Sequence, residues 1–157
     1  MFYKNEKLFI DNILVDKIVK KYGTPTYCYS YNKLKENVLK FKKNFKKINP
    51  IICFAVKANN NIKILSEIRK FGLGADVVSK GELLAALKSK INPKKIVFSG
   101  VGKTYDEIKF AIKKKILLIN SESESEIKII SKLAKKLKIN VDIGIRINPN
   151  VDAKTIN

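Results

Sequence analysis

The feature that most constrains this chain is an alternation of two hydrophobic periods between residues 51 and 147. Short apolar runs occur at Ile51–Val56, Ala75–Val78, Lys95–Phe98, Ile116–Ile119 and Val141–Ile147. Between them, apolar residues recur at helical spacing: Ile62, Leu65 and Ile68; Leu83, Leu84 and Leu87; Ile108, Ala111 and Ile112; Ile127, Ile130, Leu133 and Leu137. The runs read as short buried strands and the spaced sets as amphipathic helices. Successive strands start roughly 20 to 25 residues apart, the length of one βα unit. An α/β fold follows, with a parallel sheet whose outer side is covered by helices.

Two topologies fit this pattern, a doubly wound open sheet and a (β/α)8 barrel. Small, polar or charged residues collect after each strand, in KANNN, SKGE, SGVGKT, NSESE and INPN. In both folds that end of the sheet carries the chemistry. The nucleotide fingerprints that accompany many open sheets are incomplete. Gly72 and Gly74 begin a GxGxxG, but Val77 stands in the third position. Gly102-Lys103-Thr104 resembles the end of a P-loop, but Val97 stands where its first glycine belongs. Both are better read as turns, which favours a partial (β/α)8 barrel over residues 32–157 with about five of eight units legible. Residues 1–31 precede it as a β-rich segment. Its run TPTYCYSYN, Thr24 to Asn32, is opened by Gly23 and Pro25. Leu34, Val38, Phe41, Phe45 and Ile48 then mark a helix, and Pro50 ends it.

Composition excludes several classes of function. There is no histidine, which removes His-based triads and His metal sites from this segment. Cys28 and Cys53 are the only cysteines. Both sit in strand-like runs without a CxxC, so they read as buried, reduced thiols of a cytoplasmic protein. No apolar run approaches the ~18 residues of a membrane span, and Met1–Ile18 mixes charge with apolar residues, unlike a signal peptide. The formal charge of +19 suggests a nucleic-acid partner at first sight. Arginine, however, occurs only at Arg69 and Arg146, and the lysines are dispersed along polar helix faces. Clustered Arg/Lys with interleaved aromatics is missing, so no specific nucleic acid is expected. The acidic run Ser121–Glu126 reads as a solvated helix start with capping serines, not a metal site.

Lys57 closes the strand Ile51–Val56. At the C-terminal end of a barrel strand its side chain can reach the mouth. A lysine held among apolar walls loses hydration, and its free amine becomes available to form an imine with an aldehyde. A strand-end lysine that snorkels to solvent fits the same residues. Physical chemistry alone leaves both readings open.

Five motifs occur in order: FAVKANNN at Phe54–Asn61, GLGADVVSKGEL at Gly72–Leu83, IVFSGVGKT at Ile96–Thr104, LINSESE at Leu118–Glu124 and IRINPNVDAKT at Ile145–Thr155. Together with the opening YGTPTYCYSYNKLKENV they resemble the diaminopimelate decarboxylases, within the alanine-racemase-like group of pyridoxal phosphate (PLP) enzymes. Ornithine and arginine decarboxylases share the lysine strand, but SGVGKT and RINPNVDAKT look more like the diaminopimelate branch. The resemblance implies PLP as cofactor and Lys57 as its Schiff-base lysine. It places Asp76 in the cofactor pocket near that lysine, Arg146 on the cofactor's phenolic side and Glu82 as a carboxylate opening the next helix. Glu82 also reads as an ordinary helix-start acid favoured by the dipole. Ser99 and Asn148 would line the mouth, with Ser79 and Lys103 as weaker candidates. The implied reaction is decarboxylation of meso-2,6-diaminoheptanedioate to L-lysine and carbon dioxide, in a cytoplasmic enzyme that is a homodimer at full length. Its partner is a small amino-acid substrate. Another basic amino-acid decarboxylase, or a non-catalytic PLP-binding barrel, is the alternative. The family's ring-stacking histidine, glycine-rich phosphate loop, ring-nitrogen acid and β domain with a catalytic cysteine would lie beyond Asn157. Residues 1–31 would pair with that domain, and residues 1–157 alone would be inactive.

Dispersed lysine with almost no arginine generates one expectation about nucleic acid. Attraction to DNA should be weak, independent of sequence and lost as salt rises. Filter binding across a salt series measures this, and sequence-selective retention at physiological salt would contradict it.

Overall fold

A computed structural model describes residues 1–151, in two compact units, Met1–Pro50 and Ile51 onward. The first unit opens with a three-stranded antiparallel meander of β1 (Phe2–Lys4), β2 (Lys7–Ile10) and β3 (Ile13–Leu14). Its two-residue turns hold Asn5 and Glu6, then Asp11 and Asn12, all at positive φ. That conformation matches the twist of a tight hairpin, and Asn and Asp tolerate it best. Helix α1 (Val15–Tyr22) ends at Gly23, whose φ of 77° suits the stop. Helix α2 (Tyr31–Asn44) starts at Ser30, whose hydroxyl accepts from the Lys33 amide at 3.0 Å and donates to Asp11 Oδ1 at 2.6 Å.

The run Thr24–Asn32 is not a strand here. Residues 26–30 enter no ladder, and the chain is helical from Tyr31. A strand is defined by a neighbour that takes its backbone hydrogen bonds, and aromatic β-formers cannot supply one. Cys28 is exposed for the same reason, against the expectation of a buried thiol, while Cys53 is half-buried. Both cysteines are free.

The second unit follows the expected alternation. Strands β4 (Cys53–Ala55), β5 (Gly74–Val77), β6 (Ile96–Phe98), β7 (Leu118–Ser121) and β8 (Ile143–Ile145) form one sheet in sequential order, all parallel. Helices α3 (Ile62–Lys70), α4 (Lys80–Lys88), α5 (Tyr105–Lys113) and α6 (Glu124–Leu137) connect them. This is an arc of a (β/α)8 barrel, five strands with the four helices that connect them, as the sequence predicts. Motif IRINPNVDAKT runs past Val151, and its last four residues lie outside the described residues.

Strand alternation divides the sheet into two faces. Ala75, Val77, Ile96, Phe98 and Ile119 are buried against Leu65, Leu83, Ile108, Ile112, Ile130 and Leu133 of the helices. The opposite face carries Cys53, Ala55, Asp76, Val97, Leu118, Asn120 and Gly144, all half-buried. The helix starts follow local chemistry. Asn61, Ser79, Thr104 and Ser123 each accept an amide of the first turn. Thr104 and Glu107 form a reciprocal capping box. The backbone amides of Thr104 and Lys80 hold the Glu107 carboxyl below its usual range. The Asn run after Lys57 is therefore a turn and a cap, and Gly72 and Gly102 lie in turns at positive φ.

Gly74 has no room for a side chain, because a Cβ there would meet the Lys95 carbonyl oxygen, a backbone atom that cannot rotate away. Gly74→Ala should destabilise the protein by about 1–3 kcal/mol. Gly81→Ala would meet only the Ser79 hydroxyl, at 3.7 Å, and should not destabilise. Urea unfolding of the two variants checks the contrast, and equal midpoints would contradict it.

Candidate cofactor site at the C-terminal edge of the sheet

Register decides which side chains share the open face. Ala55 pairs with Asp76, Asp76 with Val97, Val97 with Leu118, and Asn120 with Gly144. Two residues further along their strands, on the same parity, come Lys57, Ser99 and Arg146. The open face thus ends, at the C-terminal edge, in Lys57, Asp76, Ser99, Asn120 and Arg146.

Lys57 sits on a 3-10 turn, Val56–Ala58, directly after β4. Val56 takes the fully buried position, so Lys57 faces away from the helix-packed core and is exposed. The expectation of a lysine enclosed by apolar walls is not met among the described residues. Its amine enters no hydrogen bond or ion pair there.

Three adjacent strands are joined by side chains. Ser99 Oγ donates to Asp76 Oδ1 at 2.6 Å, and Asn120 Nδ2 donates to Ser99 Oγ at 3.0 Å. One strand further, after β8, Arg146 Nε lies 3.5 Å from Glu122 Oε2. The other oxygen of Glu122 accepts the Gly100 amide at 3.0 Å, and the Arg146 amide donates to the Ser121 carbonyl at 3.0 Å. The Arg146 side chain is 59% exposed, so much of its guanidinium stays available.

Other candidates take supporting places. Glu82 accepts the Val78 amide at 2.9 Å while its own amide donates to Ser79 Oγ at 3.2 Å, the pattern of a helix-start acid. Asn148 lies past β8, exposed and outside these hydrogen bonds. Lys103 is the largest departure. Its side chain is 1% exposed, and Nζ donates to the Gly100 carbonyl at 2.7 Å, the Asn120 carbonyl at 2.7 Å and Glu126 Oε1 at 3.0 Å. All three ammonium protons are thereby satisfied. Glu126 Oε2 accepts the Glu122 amide at 2.8 Å. The acidic run is therefore only partly a solvated helix start. Ser123 caps α6 as expected, but Glu126 is buried and Glu122 is nearly so. No group of three or more His, Cys, Asp or Glu side chains suited to a metal occurs among the described residues.

Asn120, Glu122 and Gly144 were not legible as site residues. The parity of Asn120 and Glu122 with Leu118 was a usable signal, hidden because the SESE run reads so readily as a helix start. Half-burial also pushes the Cys53 thiol up from its usual range, with the Asp76 charge as the smaller cause. Cys53 is thus an unreactive wall of this face.

Residues 31–157 match the family model described as pyridoxal-dependent decarboxylase, pyridoxal binding domain. The chain belongs to this family. Among curated relatives, the diaminopimelate decarboxylase of Helicobacter pylori strain J99 is 49% identical over 140 residues, covering 89% of this chain and 35% of that protein. The Aquifex aeolicus diaminopimelate decarboxylase is 41% identical, over 98% of this chain and 36% of its own length. Among solved structures, the H. pylori diaminopimelate decarboxylase complexed with L-lysine matches with a TM-score of 0.86 and 47% identity, covering 90% of this chain and 36% of that one. The M. jannaschii enzyme in co-complex with L-lysine matches with a TM-score of 0.91 and 39% identity, covering 97% and 36%. This pyridoxal-binding chain thus spans a little over a third of the length of the relatives it matches. No described helix is long and apolar enough to cross a membrane.

The open face fits pyridoxal phosphate chemically. A free primary amine, a carboxylate fixed by a hydroxyl and a partly exposed guanidinium lie at one edge.

Because Lys103 closes a saturated buried network, removing it strands a buried carboxylate. Lys103→Met should cost about 3–5 kcal/mol. Lys128→Met removes the partner of Glu124 in an exposed pair and should cost almost nothing. Denaturant unfolding distinguishes the two, and equal losses would contradict the assignment.

Proposed function

We propose that this chain is the amino-terminal part of a PLP-dependent decarboxylase acting on meso-2,6-diaminoheptanedioate, with L-lysine and carbon dioxide as products. The observation that carries the reading is the free Lys57 amine at the sheet's C-terminal edge, the same edge that carries the Ser99–Asp76 pair and Arg146, in a chain whose family model is a pyridoxal-binding domain. The substrate class is supported by identities of 35–49% to diaminopimelate decarboxylases and by two related structures holding L-lysine. When bound, PLP supplies an aldehyde for covalent attachment and a ring that accepts the electrons left by the departing carboxylate.

The residues of this chain would divide the work. Lys57 would hold the cofactor covalently, and its Nζ would carry the proton for return to the substrate carbon. Asp76 would supply negative charge on the same edge, and Arg146 would hold the cofactor's phenolic side. Ser99 and Asn148 line the mouth. Glu82 acts through the Val78 amide, fixing the turn after β5. We further propose that the division at residue 31 is functional. The pyridoxal-domain match begins there, after the strands of residues 2–14, and those earlier residues belong with a β domain of the full-length protein. A cytoplasmic homodimer is the matching expectation, supported by the family resemblance.

In the full-length protein, borohydride treatment should fix PLP to one peptide, the one containing Lys57. Lys57→Ala should abolish trapping and lower turnover by several orders of magnitude. Lys80→Ala should leave trapping intact. Trapping on another lysine, or retention of cofactor by Lys57→Ala after reduction, would sink the assignment. Turnover of ornithine or arginine in preference to diaminopimelate would move the substrate to the alternative.

A further inference from the structure

We infer that Asn120 is a positioning residue that fixes the Ser99 hydroxyl onto Asp76, and that Gly144 exists to give Asn120 its place. The inference rests on the function proposed above and deepens it.

The direction of the hydrogen bonds carries it. A serine hydroxyl has one proton and can rotate to suit several acceptors. Asn120 Nδ2 donates to Ser99 Oγ, which occupies that oxygen as an acceptor. The hydroxyl proton is left for Asp76 Oδ1, at 2.6 Å. The chain of donation runs one way, from β7 through the end of β6 to β5. Asn120 is itself held, because its backbone carbonyl accepts from the buried ammonium of Lys103. A Cβ at Gly144, the register partner of Asn120, would collide with the Asn120 amide oxygen. That oxygen belongs to a side chain that can rotate, so a methyl group at 144 would be tolerated by the fold. It would nevertheless move the amide from the place where it reaches Ser99. No positive φ requires glycine at 144, which leaves this space as the structural reason for it.

Asp76 lies on the same edge as Lys57, so its carboxylate orientation bears on cofactor binding. A hydrogen bond to a charged group contributes enough that losing it weakens binding by about tenfold to a hundredfold. The test uses the full-length protein, the single variants Asn120→Ala, Asn120→Asp, Gly144→Ala, Ser99→Ala and Ser99→Thr, and the double variant Asn120→Ala with Ser99→Ala. PLP affinity is read by absorbance titration, with borohydride trapping on Lys57 as a second readout and thermal unfolding as the check on folding. Asn120→Asp keeps the shape but cannot donate. Its carboxylate would accept from Ser99 and turn the hydroxyl away from Asp76. A space-filling role predicts near-normal affinity for Asn120→Asp; the positioning role predicts a loss of about tenfold or more. Gly144→Ala should share that loss with little change in thermal stability. Combining Asn120→Ala with Ser99→Ala should be no worse than Ser99→Ala alone, since both act through one bond. Ser99→Thr should retain affinity. Wild-type affinity in Asn120→Asp and Gly144→Ala, or additive losses in the double variant, would overturn the inference while trapping on Lys57 still stood. Absence of trapping on Lys57 in the unmodified protein would overturn the proposed function and this inference together.

Discussion

Everything at the candidate site depends on the parallel register of β4 to β8. Side chains in a strand alternate between faces, so a slip of one residue would exchange the buried and open sets entirely. Here the register is locked by the apolar half. Phe98, Ile96, Val77 and Ile119 are fully buried, and exposing any one of them would cost on the order of 1.5–3 kcal/mol. The polar half has no comparable energy of its own. Asp76, Ser99, Asn120 and Arg146 come together because hydrophobic burial on the far side of the sheet holds their strands in step.

A second constraint acts at the edge where the strands end. The loops after β6 and β7 would be free to splay without a tie between them. Lys103, Glu126 and Glu122 supply it through the Gly100 and Asn120 carbonyls and the Glu122 amide. Such a buried charged pair offsets its desolvation only when every donor and acceptor is met, as here. Its contribution is to orientation more than to net stability. It leaves Glu122 aimed at Arg146 and Asn120 aimed at Ser99, so one ammonium serves both halves of the site.

Much of this was legible in the sequence for a simple reason. Strand and helix periods are set locally, and the five strands and four connecting helices of residues 51–147 carry both periods cleanly. Lys57 and Ser99 could be expected at this edge because strand ends in such a sheet collect chemistry, whereas the cofactor roles of Lys57, Asp76 and Arg146 are implied by the family resemblance. What escaped was cooperative. Thr24–Asn32 has strand composition, but pairing needs a neighbour that composition cannot reveal. The hairpins of residues 2–14 depend on positive φ at Asn5, Glu6, Asp11 and Asn12, in a stretch whose charges mask its strands. Lys103 looked like one surface lysine among many, and Glu126 like one acid of a solvated run. Their burial follows only from the meeting of two loops distant in sequence. Glu82 could be read as a cofactor-pocket carboxylate or a helix-start acid, and its carboxylate accepts the Val78 amide just before α4.

The central claim is that these side chains form one cofactor-facing edge. It is tested most directly by a crystal structure of the full-length protein with pyridoxal phosphate. The account predicts continuous density from the Lys57 side chain to the cofactor, Asp76 still accepting from Ser99, and Arg146 within hydrogen-bond reach of the ring oxygen. Cofactor density joined to a different lysine, or bound away from the C-terminal edge of β4 to β8, would contradict it.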